Sequence, residues 1–442
     1  MIEQMFESIV SGGMVSVMLP EPGSVVVDDG VLGWMTAVLS RTEPVDAASA
    51  SGLIDTMRAV EGVKDAASGF QAAVMVAFDA VMRADREARG IRAERRGRGL
   101  ASQVGLARRE SRFRARGHLQ AAVMAHRELP WSFGVLRAGR ISEWRLMVIV
   151  AETACLPLEA RQVIDQELAG TPEAVAELEG MSDRQTAAWI RARAAELDPA
   201  AVVAHRRRVE GERRVTARPA PDLMLYLTAL LPVRDGVAVI AALERAADSL
   251  KAQGDPRSRS QIKADLVVER VTGRNPVTHP VPVTLNVVIS DRALFSETHA
   301  GGHLDGYGPV PASLVREFAG EVGVQLRRLY ANPRTGALVA MESAARLFPP
   351  ALARLVKLRD QTCRTPWCDA PIRHIDHVIP HAGGGPTTVE NAQGLCQACN
   401  HAKQGDGWTS VTVPSPRTGR HTVVTTTPTG HTYTSTAPRA AC

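Results

Sequence analysis

Four cysteines toward the C-terminal end of the chain form two tight pairs, Cys363 with Cys368 and Cys396 with Cys399, separated by twenty-seven residues. A C-x4-C pair followed by a C-x2-C pair is the spacing with which two short knuckles present thiolates to a tetrahedral metal, and the reading is a structural Zn2+. Buried free thiols, or two disulfides of a secreted chain, are the competing readings. Close-spaced pairs in a chain without a secretion signal favour metal over both. Between and just after the pairs lie Asp376, His377, Asn391 and Asn400. A histidine, with an unperturbed pKa near neutrality, can take a proton from water, and Asp and Asn oxygens suit a hard divalent cation. Those are the groups that phosphodiester hydrolysis needs: a base for the water and positive charge for the transition state and leaving oxygen.

Local structure must position them. Arg373-His374-Ile375-Asp376-His377-Val378-Ile379-Pro380 carries β-branched residues and predicts a strand. On a strand, neighbours point to opposite faces, so Asp376 and His377 can do different work. The stretch from His381 to Pro386 holds three glycines and predicts a loop, Asn391 falls in the same excursion, and Leu395 to Gln404 is rich in helix formers.

Strand, loop with Asn, and helix opening on Cys-x-x-Cys-Asn is the order of an HNH nuclease, and the quoted residues resemble that ββα-metal family in its four-cysteine, treble-clef-like form. The resemblance implies that His377 is the general base, that Asp376 and Asn400 hold a catalytic Mg2+ or Mn2+, that Asn391 pins the loop and orients the base, and that Cys363, Cys368, Cys396 and Cys399 hold zinc. Where the motif's name has a final His this chain has Asn400, followed by His401, so the second catalytic-metal ligand falls on one or the other. Lys403, one helical turn from Asn400, is either a phosphate contact or a solvated lysine. Arg373, His374 and His401 are further candidate nucleic-acid contacts, although His374, like His381, equally suits a plain strand-end or loop residue. The alternative for the whole constellation is a non-catalytic, zinc-stapled DNA-binding or regulatory protein.

The chain has 442 residues, too long for one ordinary domain at about 150 residues each. Hydrophobic residues make up 45%, enough for packed cores, but aromatics are only 4%, so the cores must be built from Ala, Val, Leu and Met. A net charge of +5 is compatible with a polyanionic partner, most simply DNA. Of six cysteines four are committed to the metal frame, which leaves Cys155 in an apolar run and Cys442, and no disulfide framework. No basic leader precedes Arg41, and no apolar run approaches the roughly 18 residues of a membrane span. The expectation is a soluble, cytoplasmic protein with no membrane partner.

In chain order, residues 1–50 show little periodicity and read as a leader. From Leu53 the apolar residues Met57, Val60, Val63, Ala67, Phe70, Val74 and Phe78 recur at helical steps. Further helices are predicted over 116–124, 142–154, 158–168 and 186–197, with a break at Leu129-Pro130. An arginine run crosses this region, from Arg83 through Arg86, Arg89, Arg92, Arg95, Arg96 and Arg98 to Arg116. It suits either a phosphate backbone or an exposed helix laced with its own ion pairs through Asp85, Glu87, Glu94 and Glu110. Arg206-Arg207-Arg208 with Arg213 and Arg214 reads as a linker. Beyond it, a strand over 281–290 and helices over 237–250 and 310–326 predict a mixed α/β unit. The Thr- and Pro-rich end, 409–442, reads as a tail or as a hairpin about Pro428-Thr429-Gly430.

The arginine-rich helical region, the segment GDPRSRSQIKADLVVERVTG, the DGYGPVPA loop, and LVKLRDQTCRTPWCD leading into the cysteines together resemble a bacterial family that carries domain of unknown function 222 ahead of an HNH domain. The fold expected is therefore α-rich and multidomain: a helical N-terminal region (51–215), a mixed α/β middle (216–350) and a C-terminal zinc-stapled ββα-metal domain (351–408).

Overall fold

In a computed structural model of the full chain, the described residues are 29–41, 49–277, 287–288, 301–304, 307–319, 347–414 and 419–438. The chain divides into two compact units, Met1–Val60 and Glu61–Cys442. The first contains α1 (Asp29–Arg41) and the opening turns of α2 (Ala50–Ala88). The second holds the remainder of α2 and everything after it.

Helix α2 forms as its periodicity predicts, yet another face packs. Gly69, Ala72, Met75 and Asp79 are buried, whereas Val63, Phe70 and Val74 of the expected stripe stay exposed. The reason is backbone approach. A Cβ on Gly69 would stand 2.7 Å from Cα of Arg137 at the end of α6 (Pro130–Arg137), so only the small-residue face can meet that helix.

The turn of α3 (Ala93–Arg96) leads into α4 (Leu100–Arg108) and α5 (Arg112–Glu128). With α6, α7 (Glu143–Thr153), α8 (Leu158–Ala169), α9 (Pro172–Gly180) and α10 (Asp183–Leu197) they enclose one core. Its filling matches the aromatic-poor composition: Leu129, Leu136, Leu146, Ile149, Ile164, Leu178 and Ile190 are fully buried, and Ala115, Ala122 and Ala125 let α5 approach its neighbours closely. Helix starts follow local chemistry. Ser111, Ser142, Thr171 and Ser182 accept from the backbone N–H three residues on, and Pro130, Pro172 and Pro199 sit in first turns, where no N–H is needed. The predicted break at Leu129-Pro130 is the junction of α5 and α6. There the buried Asp165 of α8 accepts from the backbone N–H groups of Trp131 and Ser132, both at 2.9 Å, and caps α6 from outside; burial pushes this carboxyl up while the two donors pull it down.

The basic stretch expected to be a linker is structured: Arg206–Arg208 belong to α11 (Pro199–Glu210), and Arg214 opens β1 (Arg214–Ala220). Strand β1 pairs antiparallel with β2 (Met224–Leu230) around Asp222 and Leu223, both at positive φ. Helices α12 (Val233–Ala252) and α13 (Arg259–Thr272) pack through Leu243, Ala247 and Ile262. Short strands β3 (Val287–Val288), β4 (Gly302–Leu304) and β5 (Gly308–Val310), then α14 (Ala312–Ala319), complete the middle region. Most of the expected 281–290 strand and the C-terminal half of the expected 310–326 helix lie outside the described residues, as does the 1–28 part of the leader.

Helix α15 (Pro350–Asp360) opens the last part, followed by the antiparallel pair β6 (His374–His377) and β7 (Ala392–Leu395) and helix α16 (Gln397–Lys403). The chain's Thr-rich end is a three-stranded antiparallel sheet in which β9 (His421–Thr426) lies between β8 (Thr409–Pro414) and β10 (Thr432–Thr436). The hairpin turn at Pro428-Thr429-Gly430 is present within it, with Gly430 at φ 82. The architecture is the α-rich, multidomain one expected, with a small ββα unit on a four-cysteine frame followed by the C-terminal sheet.

Candidate active site and metal centre

The cysteine frame is assembled by backbone geometry. In the first knuckle Cys363 N–H donates to Ala370 O at 3.0 Å and Cys368 N–H to Thr365 O at 3.0 Å, and Trp367 takes a left-handed φ of 59 to close the x4 turn. In the second, Cys396 caps α16 and its Sγ accepts from Cys399 N–H at 3.4 Å. All four sulfur atoms fall within 4.8 Å of one another, with Cys368 Sγ 3.9 Å from Cys396 Sγ and 3.7 Å from Cys399 Sγ. A tetrahedron with Zn–S bonds of about 2.3 Å has edges of about 3.8 Å, so the buried cluster fits zinc. Hydrogen bonding among the thiols lowers Cys363 and Cys396 and raises Cys368 and Cys399, the sharing expected of four sulfurs crowded into one small volume.

The frame is tied to its surroundings through arginine. Arg359 (7% exposed) pairs with Asp360 and donates to the carbonyls of Val389 and Ala392, both at 2.6 Å, so α15 grips β7. Asp360 also accepts from Gly394 N–H at 2.7 Å. Arg364, beside Cys363, donates to the carbonyls of His421 and Ser435 and so joins the first knuckle to the C-terminal sheet.

Strand β6 presents the polar pair as its alternation requires. His377 is buried (8% exposed); its Nε2 lies 2.9 Å from Thr387 Oγ1, and its ring packs at a tilt 4.4 Å from that of Phe348 and edge-on 5.6 Å from that of His381. Asp376, half-buried, pairs with Lys403 at 2.6 Å, and the same ammonium donates to the carbonyl of His377. Asn391 stitches the loop: its Oδ1 accepts from Ile379 N–H at 2.8 Å, and its Nδ2 donates to Ile379 O at 3.1 Å and Pro386 O at 2.8 Å. Gly385 is required under this stitch, because a Cβ there would stand 1.9 Å from Ile379 O and 2.8 Å from Asn391 Nδ2. Asn400 is buried on α16, and among the described residues its Oδ1 has no hydrogen-bond partner. Three residues on, Lys403 shares its helix face, and the Lys403–Asp376 pair turns that face toward β6.

Asp376, His377, Asn391, Asn400 and Lys403 are thus gathered onto one strand, loop and helix. His401, Arg373 and His374 are exposed around it. Lys403 is neither solvated nor reaching outward; it is committed to Asp376. Thr387, Phe348 and Arg359 were not singled out by sequence reasoning. Thr387 stands in a glycine-rich loop where no spacing marks it, and Phe348 precedes α15 with no periodic signal.

Residues 361–406 match the family model described as HNH endonuclease, so the ββα unit is a nuclease-type, nucleic-acid-directed domain. Residues 61–360, most of the chain, match the model described as domain of unknown function (DUF222), and the chain belongs to that family. Among curated proteins, the uncharacterized protein Rv3776 of Mycobacterium tuberculosis is 34% identical over 170 residues, which is 38% of this chain and 28% of that protein. The uncharacterized protein Rv2100 of the same organism is 35% identical over 150 residues, 31% of this chain and 24% of that protein. The matched stretches therefore span only about a quarter of the relatives' length. No solved structure matches the chain. Among the described residues no helix is long and apolar enough to cross a membrane.

Proposed function

We propose that the protein is an endonuclease that hydrolyses phosphodiester bonds of nucleic acid, DNA in the first instance, with a divalent metal. The observation that carries the reading is the buried Oδ1 of Asn400, without a hydrogen-bond partner among the described residues, on the helix face turned toward the strand of Asp376 and His377. A buried carbonyl oxygen without a donor costs about 1 to 3 kcal/mol unless something fills its lone pairs, and a hard cation shared with Asp376 does so. A Mg2+ or Mn2+ held by Asp376 and Asn400 would supply positive charge to the scissile phosphate and the departing oxygen.

The chain's own groups do the rest. His377, held by the 2.9 Å contact between its Nε2 and Thr387 Oγ1, takes the proton of the attacking water. The water oxygen bonds to phosphorus as the P–O3′ bond breaks, the 3′ oxygen leaves and is protonated from solvent, and the nicked strand ends in a 5′-phosphate and a 3′-hydroxyl. Packing on Phe348 and the Asn391 stitch hold the imidazole and its loop in one geometry. Zinc on the four cysteines holds the fold and does no chemistry, because its four positions are filled by protein.

One observation favours a second reading, a zinc-stapled module that binds nucleic acid without cutting it: Lys403 already neutralises Asp376. The experiment is cleavage of duplex DNA, single-stranded DNA and RNA by the full, zinc-loaded chain with Mg2+, Mn2+ or EDTA. Metal-dependent product with 5′-phosphate ends supports the nuclease; a folded, zinc-loaded chain inert on every substrate and metal moves the assignment to the binding module.

A further inference from the structure

The connection from α2 to α4 is an arginine-rich turn braced from within and seated on the nuclease domain. It reverses at Gly90 and Gly99, at φ 72 and 77, with the single turn of α3 between them. Seven arginines stand against three acidic residues between positions 83 and 98, and they divide by direction. Arg86, 6% exposed, reaches inward and donates to the carbonyls of Arg96 at 2.5 Å and Arg98 at 2.8 Å. Arg96 donates to Ile91 O at 3.0 Å and pairs with Glu87 at 2.8 Å. These charge-assisted bonds fix the path of the turn. Arg92 and Arg95, three residues apart, face solvent, and among the described residues neither has a carboxylate partner.

The turn is docked beside the site. Arg98 Nε donates to the carbonyl of His401 at 3.1 Å, one residue past Asn400 on α16. Gly99 lies so close to Trp408 that a Cβ would meet its indole nitrogen at 3.0 Å, and Thr429 of the C-terminal sheet donates to Gln103 Oε1 at 3.1 Å. The basic turn of the DUF222 region therefore contacts α16, the helix that carries Asn400, at the residue that follows it.

We propose that this turn is a phosphate-binding ridge, in which Arg92 and Arg95 grip the backbone of a nucleic-acid duplex next to the strand presented to His377. The proposal rests on the nuclease reading for what is held, and it assigns to the DUF222 region a share of substrate affinity. The chemistry of the patch selects a polyphosphate over an acidic protein. A protein partner needs an apolar or aromatic anchor at the centre of its footprint, and the exposed residues of this turn are Arg89, Gly90, Arg92, Ala93, Glu94 and Arg95. A phosphate backbone needs only charges at fixed positions. The inward arginines prepay the ordering of the turn, so the outward pair meets phosphates already in place.

The test is binding by the full-length, zinc-loaded chain in the absence of Mg2+ and Mn2+, read as fluorescence anisotropy of labelled duplexes about 30 base pairs long across a salt series. Three proteins are compared: wild type, Arg92→Ala with Arg95→Ala, and a control with Arg114→Ala and Arg116→Ala, two exposed arginines of α5 beyond the far end of α4. Each lost phosphate contact lowers the slope of log K against log salt by about 0.9, so the ridge variant is expected to lose about 2 in slope while the control stays at the wild-type value. DNA and RNA duplexes of one sequence distinguish the two sources of the phosphate; loss on either supports the ridge. An unchanged slope in the ridge variant, an equal loss in the control, or a wild type that binds no duplex overturns the proposal. Cleavage is scored separately: slope loss in a chain that never cuts sinks the nuclease and keeps the ridge, and cutting without slope loss does the reverse.

Discussion

Replacing Asn391 by alanine removes the stitch that holds the loop between β6 and β7, and the structure sets the size of the effect. Three hydrogen bonds are lost, to Ile379 N–H, Ile379 O and Pro386 O, from a side chain only 6% exposed. At about 1 kcal/mol net for each, the loss is about 3 kcal/mol. Ile379 and Pro386 lie at the exposed rim, where water can replace part of it, so about 2 to 3 kcal/mol is expected. The loss is local, because the helical core and the cysteine frame do not depend on this side chain. Native-state hydrogen exchange over residues 378–391 is therefore the right readout, and 2 to 3 kcal/mol corresponds to roughly 30- to 140-fold faster exchange there, with α5 to α10 unchanged. Asn391→Asp keeps the acceptor for Ile379 N–H but sets carboxylate oxygens against two carbonyls, and should be no better than alanine. Exchange in that segment within about threefold of wild type for Asn391→Ala would refute the reasoning that the side chain holds the loop.

Two further outcomes follow from the same domain. Burial pushes His421 down to about 4 against an ordinary value of 6.5, and its Nε2 lies 2.8 Å from Glu390 O. Because the unfolded imidazole protonates first, the contribution is complete above pH 6.5 and is lost as pH falls toward 4, up to about 3 kcal/mol. Denaturation midpoints of the C-terminal region measured from pH 7 to pH 4.5 should show this slope, and His421→Gln should flatten it. Stripping zinc should open the 361–406 region to protease and make all four frame cysteines reactive to a thiol reagent, while the core of α2 and α4 to α10, which shares no residue with the cysteine cluster, keeps its helical circular dichroism. Simultaneous loss of both signals would mean that the two parts fold as one.

What could be read without coordinates was whatever is local. The cysteine pairs, the Asp376-His377 dipeptide, Asn391 and Asn400 all lie within thirty-eight consecutive residues, and short-range spacing places them on knuckle, strand, loop and helix. Helix α10 was legible from its own composition over 186–197, although its start, at the Ser182-x-x-Gln185 capping box, lies three residues earlier than that reading placed it. Long-range choices were not. The apolar stripe of α2 is real, but Gly69 against Arg137 decides which face packs. The arginine run left open which members face in and which out, since only the fold sends Arg86 to the carbonyls of Arg96 and Arg98 and leaves Arg92 and Arg95 in solvent. Arg206 to Arg214 resembled a linker because charge obscured the end of α11 and the start of β1, whose partner β2 is itself a plain apolar run.

The most direct test of the central claim is single-turnover nicking of supercoiled DNA by His377→Ala beside wild type, with bound zinc measured on the same preparations. Loss of a general base is worth about 10²- to 10⁴-fold, so the variant is expected to nick at least about a hundredfold more slowly while retaining its zinc and its thermal transition. A His377→Ala protein that keeps its zinc and nicks at the wild-type, metal-dependent rate would contradict the assignment of the site.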